Sequence, residues 1–253
     1  MFQDDRKLTA HLAAGGKVTE TDDLSPRYRG ELVRLMASFV DSALAGAAGL
    51  VEQINHAPGL SERSAAARMV SEKFDHARAV LTLMERFGVN PDLYVREHPW
   101  PARLDRDIDL GNRRVGGDKR LNVFHYPIAG WTDCAAFTML MGEASAVQLE
   151  ELCACSYAPL GRVMAGVIVT REQEHARLGL EDLTRAIERA GSTAQAQASV
   201  NYWRLRVAAT FGRLDSERFD LYRQYGLRQH SNAALVQEWE QRITPALAAL
   251  TLT

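Results

Sequence analysis

Apolar residues recur at three- and four-residue spacing over most of the chain, whereas the strict alternation that marks half-buried strands is nearly absent. The first long run, "SPRYRGELVRLMASFVDSALAGAAGLVEQI", opens on Ser25 and Pro26, a capping residue followed by proline at the first helical position. The spacing predicts a helix over about 26–55 with Leu32, Leu35, Met36, Phe39, Ala43, Ala47, Leu50 and Ile54 as its stripe, and with Gly46 and Gly49 placed to let a neighbouring helix come close. "HAPGLSE" breaks the pattern, Ser61 offers a cap, and "ERSAAARMVSEKFDHARAVLTLMERF" forms a second amphipathic run closed by Gly88 and Pro91. These two runs make a long antiparallel hairpin.

From 89 to about 130 the period disappears among Pro91, Pro99, Pro101, Pro127 and a scatter of glycines and charges, so an irregular excursion over the surface is expected. Helical spacing returns in "GWTDCAAFTMLMGEASAVQLEELCAC", stops at "SYAPLG" and resumes up to Gly191, giving a second long hairpin. Shorter helices at about 195–212, 216–229 and 232–248 follow. Residues 1–24 mix charges without a sustained period and read as a mobile lead-in, leaving 25–253 as a single helical domain. The fold class is all-α, a four-helix bundle of two similar hairpins with extra C-terminal helices.

Composition alters this picture little. A formal net charge of −2 offers no long-range attraction for nucleic acid or an anionic membrane, and no run reaches the roughly 18 uninterrupted apolar residues of a membrane helix. A cytoplasmic protein with neither nucleic acid nor membrane as partner is expected. Cys134, Cys153 and Cys155 form no Cys-x-x-Cys pair and read as plain thiols.

The candidate chemistry lies in a repeated His-Ala-Arg. "EQEHARLG" places Glu172 three residues before His175, the helical spacing at which a carboxylate and an imidazole converge on one metal ion. Glu143, within the apolar run of the partner helix, would add a second carboxylate. Oxygen and nitrogen donors with open positions suit iron, or manganese. The first copy, "KFDHARAV", keeps His76 but carries Lys73 where the acid should stand, and Ala43 near the centre of its partner helix offers no donor. Glu72 and Asp75 are nearby alternatives. "GNRRVGGDKR" gathers Arg113, Arg114, Lys119 and Arg120, and Trp100, Phe124, Tyr126 and Trp131 are aromatic residues able to wall a pocket.

The order and spacing of "WTDCAAFTMLMGEASAV", "CACSYAPLGRVMAGVIVTREQEHARLG" and "FGRLDSERFDLYRQYGLRQHSNAALVQEW" resemble the phenylacetic acid catabolic family of ferritin-like di-iron oxygenases, in particular its catalytic epoxidase subunit. The resemblance implies a ferritin-like bundle, metal ligands at Glu143, Glu172, His175 and His76, iron as one or two ions, and an aromatic or acyl substrate that can be linked to coenzyme A. It also implies a homodimer or a pairing with a homologous subunit; an enzyme would need a separate reductase, because the sequence carries no Gly-x-Gly-x-x-Gly fingerprint for flavin or nicotinamide. The family's first-helix glutamate falls on Ala43 and its bridging glutamate on Lys73. Two outcomes stay open: a metal-dependent oxygenase with a reduced site, or a metal-free, non-catalytic subunit in which Lys73 balances the charge of the vacated half-site.

Overall fold

A computed structural model describes residues 2–253 except Asn112 and Arg114. Two hairpins form the bundle: α2 (Pro26–Gln53) with α3 (Leu60–Glu85), and α5 (Trp131–Cys153) with α7 (Val169–Ala190). The Ser25 hydroxyl accepts from the amide of Tyr28 and Pro26 occupies the first turn of α2, as the sequence predicts. Helix α3 departs from expectation at its start. It begins at Leu60, before Ser61, after the extended backbone of Gly59. Helix α8 (Ala194–Ala208) and helix α10 (Asn232–Ala249) pack on α5, where Trp203 and Trp239 are fully buried and the Trp239 indole N–H donates to the carbonyl of Leu140.

Three further expectations change. The lead-in contains a helix, α1 (Asp5–Ala13), whose Leu8 is fully buried, and Val18 bridges to Tyr157; two isolated apolar residues suffice to anchor a segment too short to show a period. Gly46 and Gly49 do not admit a helix: an added Cβ would meet Phe124 at 3.0 Å and Arg103 at 3.1 Å, both on the excursion. The close helix approach lies in the other hairpin, where a Cβ on Gly142 would meet the backbone of Ala176 at 2.8 Å and one on Gly179 would collide with the amide of Met139.

The second arm of that hairpin is also broken differently from the sequence reading. A short α6 (Ala158–Val163) runs through a π-helical turn, Met164–Ile168, into α7. One extra residue per turn shifts the phase just ahead of Glu172, an arrangement often found at functional sites. The excursion contains a short helix α4 (Pro91–Glu97) and is pinned by buried polar contacts. Asp41 accepts from the Tyr94 hydroxyl at 2.8 Å and the Lys119 amide at 2.6 Å, and Arg120 is enclosed by Asp118 and the carbonyls of Pro99, Trp100 and Ala102. Arg120 is thus a structural clamp within the basic stretch, while Arg114 lies outside the described residues. Among the described residues one helix, Pro26–His56, is long and apolar enough to cross a membrane, and most of that apolar window is buried inside the bundle.

Candidate functional site

The phase of each long helix decides what faces the bundle axis. The second member of each hairpin delivers its histidine: His76 on α3 and His175 on α7 are both buried, with rings 6.3 Å apart and nearly parallel. Between them lies Glu172. Its Oε1 is 3.4 Å from Nδ1 of His76 and 3.7 Å from Nδ1 of His175. The repeat visible in the sequence therefore does place both histidines around one carboxylate.

The fourth member is a cation from the protein itself. Lys73 Nζ donates to both carboxylate oxygens of Glu172 at 3.0 Å each. Burial opposes ionisation of Glu172, but the Lys73 ammonium and the two imidazoles override it and hold the carboxyl well below the usual range. Glu72, the residue before Lys73, accepts from Nε2 of His175 at 2.7 Å and lies 3.5 Å from Arg171. It thereby orients the imidazole, the part a carboxylate commonly plays behind a histidine ligand. Beyond these contacts with Glu172, neither ring nitrogen of His76 nor Nδ1 of His175 has a hydrogen-bond partner among the described residues.

Glu143 is not brought into this group. Successive residues on a helix are about 100° apart, and the position of α5 that faces Lys73, Glu172 and His175 is Gly142, with Thr138 and Met141. Glu143 is turned toward the α10 side, where burial raises its carboxyl and Arg242 opposes that rise. Ala43 lines the same interior without a donor. Among the described residues no three histidine, cysteine or acidic side chains are arranged to hold a metal ion. The space that adjoins Lys73, Gly142, Glu172 and His175 is a cavity of about 20 Å³, enough for about one water molecule. The residues present thus do not fit a di-iron centre: two helices present Ala43 and Gly142 without donors, the Lys73 ammonium pairs with Glu172, and Glu72 is engaged by His175.

A larger cavity of about 440 Å³ reaches the same Lys73–Glu172 pair. It starts among exposed arginines, Arg34, Arg213 and Arg218, passes along α2 and the Met141, Ser145, Gln148, Leu152 face of α5, and is closed by the segment after α8 and by Phe219 and Tyr222 of α9 (Arg218–Gln224). Of the four aromatics proposed as pocket walls only Phe124 faces it; Tyr126 packs against Tyr202, and Trp100 and Trp131 pack against the core. Desolvation lowers the guanidinium of Arg228, which also lines the cavity. The three thiols are unpaired, and burial pushes Cys134 up to about 12 and Cys155 up to about 11, so neither is an ionised nucleophile.

Sequence reasoning missed Gly142 and Arg228. An alignment of α5 by small residues facing α7 points to Gly142; Arg228, alone in a turn, leaves no periodic signal. Among curated proteins none matches the chain. Residues 6–253 match the family described as phenylacetic acid catabolic protein, whose fold is a ferritin-like helical bundle, and the chain belongs to that family.

Proposed function

We propose that this protein is a metal-free member of the family that serves as a non-catalytic subunit, pairing with a catalytic homologue. The observation that carries the reading is the Lys73 ammonium seated 3.0 Å from both oxygens of Glu172. A carboxylate gathered into a helical bundle needs a cation, and here the chain supplies its own, so the charge is balanced without an ion. Ala43 and Gly142 support the reading from two further helices, and the complexes of several subunits that the family forms supply the setting for a partner. Losing the donors while keeping His76, Glu72, Glu172 and His175 preserves the packing of the bundle centre, which is what a subunit retained for assembly requires.

A second reading, a metal-dependent oxygenase acting on an aromatic or acyl substrate, is favoured by one observation: His76 and His175 both turn Nδ1 toward the Glu172 carboxylate, at 3.4 and 3.7 Å. Metal analysis separates the two. Protein expressed with added iron and manganese is expected to carry no stoichiometric metal, and co-expression with a catalytic homologue from the same family to yield a stable hetero-complex. Stoichiometric metal that disappears in Glu172→Ala would overturn the proposal and establish the oxygenase reading in its place.

A further inference from the structure

Six cationic side chains line the large cavity, Arg34, Lys73, Arg120, Arg213, Arg218 and Arg228, against one acid, Glu172. Most of these charges are answered. Lys73 holds Glu172, Arg120 holds Asp118, Arg213 lies 3.4 Å from Asp215, and Arg218 lies 3.7 Å from Glu31. Arg34 is exposed to solvent. Arg228 is different: it is partly buried, its side chain makes no hydrogen bond or ion pair among the described residues, and its Nη1 is fully enclosed without a partner. The acid whose field it feels, Glu151, is already committed, accepting from the amides of Gln229 and His230 at 2.6 and 2.9 Å and from the His230 ring at 2.6 Å. A guanidinium taken out of water without an anion is costly, and proteins rarely retain one unless something completes it.

The rest of the cavity says what the anion would carry. Arg228 stands beside Tyr222, near the Leu152 end of the α5 wall, whereas Lys73 and Glu172 stand at the Met141 end, a span of about 16 Å of helix at about 1.5 Å per residue. Between them apolar side chains, Phe39, Ala43 and Leu149 among them, share the walls with Ser42, Ser145 and Gln148. At the far end the Lys73 ammonium is already neutralised, so no second anion is called for. Drug-sized ligands occupy pockets of this volume, with few polar groups fixing their orientation.

We propose that this cavity binds an organic monocarboxylate with an apolar tail, the carboxylate pairing with Arg228 and the tail lying along the α2–α5 wall toward Lys73. The site is independent of whether the chain pairs with a homologue. Octanoate is a suitable probe, with octanamide as its uncharged counterpart and inorganic phosphate and coenzyme A as anions of other origin. Calorimetric titration of the full-length protein is expected to show saturable octanoate binding, at least tenfold weaker octanamide binding, and no competition from phosphate or coenzyme A. Arg228→Met is expected to weaken octanoate at least tenfold, and Arg218→Ala to change it less than threefold because that guanidinium already has Glu31. Equal binding of acid and amide, absence of octanoate binding at millimolar concentration, or displacement by phosphate or coenzyme A would each overturn the proposal. The comparison of acid with amide uses the unaltered protein, so the test stands even if Arg228→Met does not fold.

Discussion

The two long hairpins carry the same His-Ala-Arg at the same phase and resolve their inner faces in opposite ways. In α5–α7 the helices close on glycines, Gly142 and Gly179, and the acid three residues before the histidine survives as Glu172. In α2–α3 the glycines receive side chains of the excursion, and the acid has become Lys73. Ala43 and Lys73 thus sit on one hairpin, while the other keeps the acid and turns Gly142 toward it. An internal ammonium balances a buried carboxylate only where it reaches it, and Lys73 reaches both oxygens of Glu172.

Breaking that pair should have the largest effect. Glu172→Gln leaves Lys73 and two imidazoles without their anion, and removal of one partner of a buried pair costs about 3–5 kcal/mol. The low end, about 3 kcal/mol, is expected here because Lys73 borders the large cavity and water can reach it. Glu143→Gln, on the α10 side of its helix, should change stability by less than about 1 kcal/mol. Urea unfolding measures both. If Lys73→Met and Glu172→Met are each strongly destabilising and the double variant recovers most of the loss, the pair acts as a unit. Equal effects at 143 and 172 would mean that the two carboxylates are not distinguished as the geometry requires.

Packing gives the next contrast. Gly179→Ala drives a methyl into the amide of Met139, and Gly142→Ala meets the backbone of Ala176 at 2.8 Å; neither neighbour is a side chain free to rotate. Losses of about 2–3 kcal/mol are expected, larger at 179. Gly46→Ala meets side chains, the edge of the Phe124 ring at 3.0 Å and Cδ of Lys73 at 3.7 Å, and should cost about 1 kcal/mol or less, partly offset by the helix propensity of alanine. Thermal unfolding ranks the three. A Gly46→Ala loss equal to that at 179 would contradict the assignment of the close approach to the second hairpin.

The sequence made the architecture legible because long amphipathic runs bounded by Ser25–Pro26, Gly88 and Gly191 leave few alternatives to two hairpins. Glu172, His175, His76 and Lys73 were legible for the same reason: a fixed i, i+3 spacing within a repeat determines the shared face. The facing of Glu143 was not legible because an apolar run has no polar side from which to read phase. Most of α5 is buried, including positions on opposite faces, so one residue's error, about 100°, exchanges a bundle-facing position for one that faces α10. The π-helical turn before α7 and the anchored lead-in escaped for a different reason, since both are imposed by tertiary contacts. Arg228 and the cavity it lines depend on which distant segments meet, and no local pattern encodes that.

The smallest expected effect concerns the seam where the hairpins meet. Asp182 on α7 lies 3.0 Å from Arg185, and the same guanidinium lies 3.5 Å from Glu62 on α3. Burial raises the Asp182 carboxyl to about 6, Arg185 opposing and Glu62 reinforcing the shift. A folded-state pKa above the ordinary 3.8 means that the folded chain binds more protons than the unfolded one between those values. This group therefore favours folding fully at acid pH, and the advantage is lost as pH rises through about 6. Asp182→Asn removes the dependence. The variant should match the wild type near pH 4 and exceed it at pH 7 by on the order of 1 kcal/mol, since the lost contact with Arg185 offsets part of the gain. Urea unfolding across this range checks the sign: a variant less stable than wild type at pH 7 would mean that the Arg185 contact outweighs burial, and that the two hairpins are joined at this seam by charge as they are at Lys73 and Glu172.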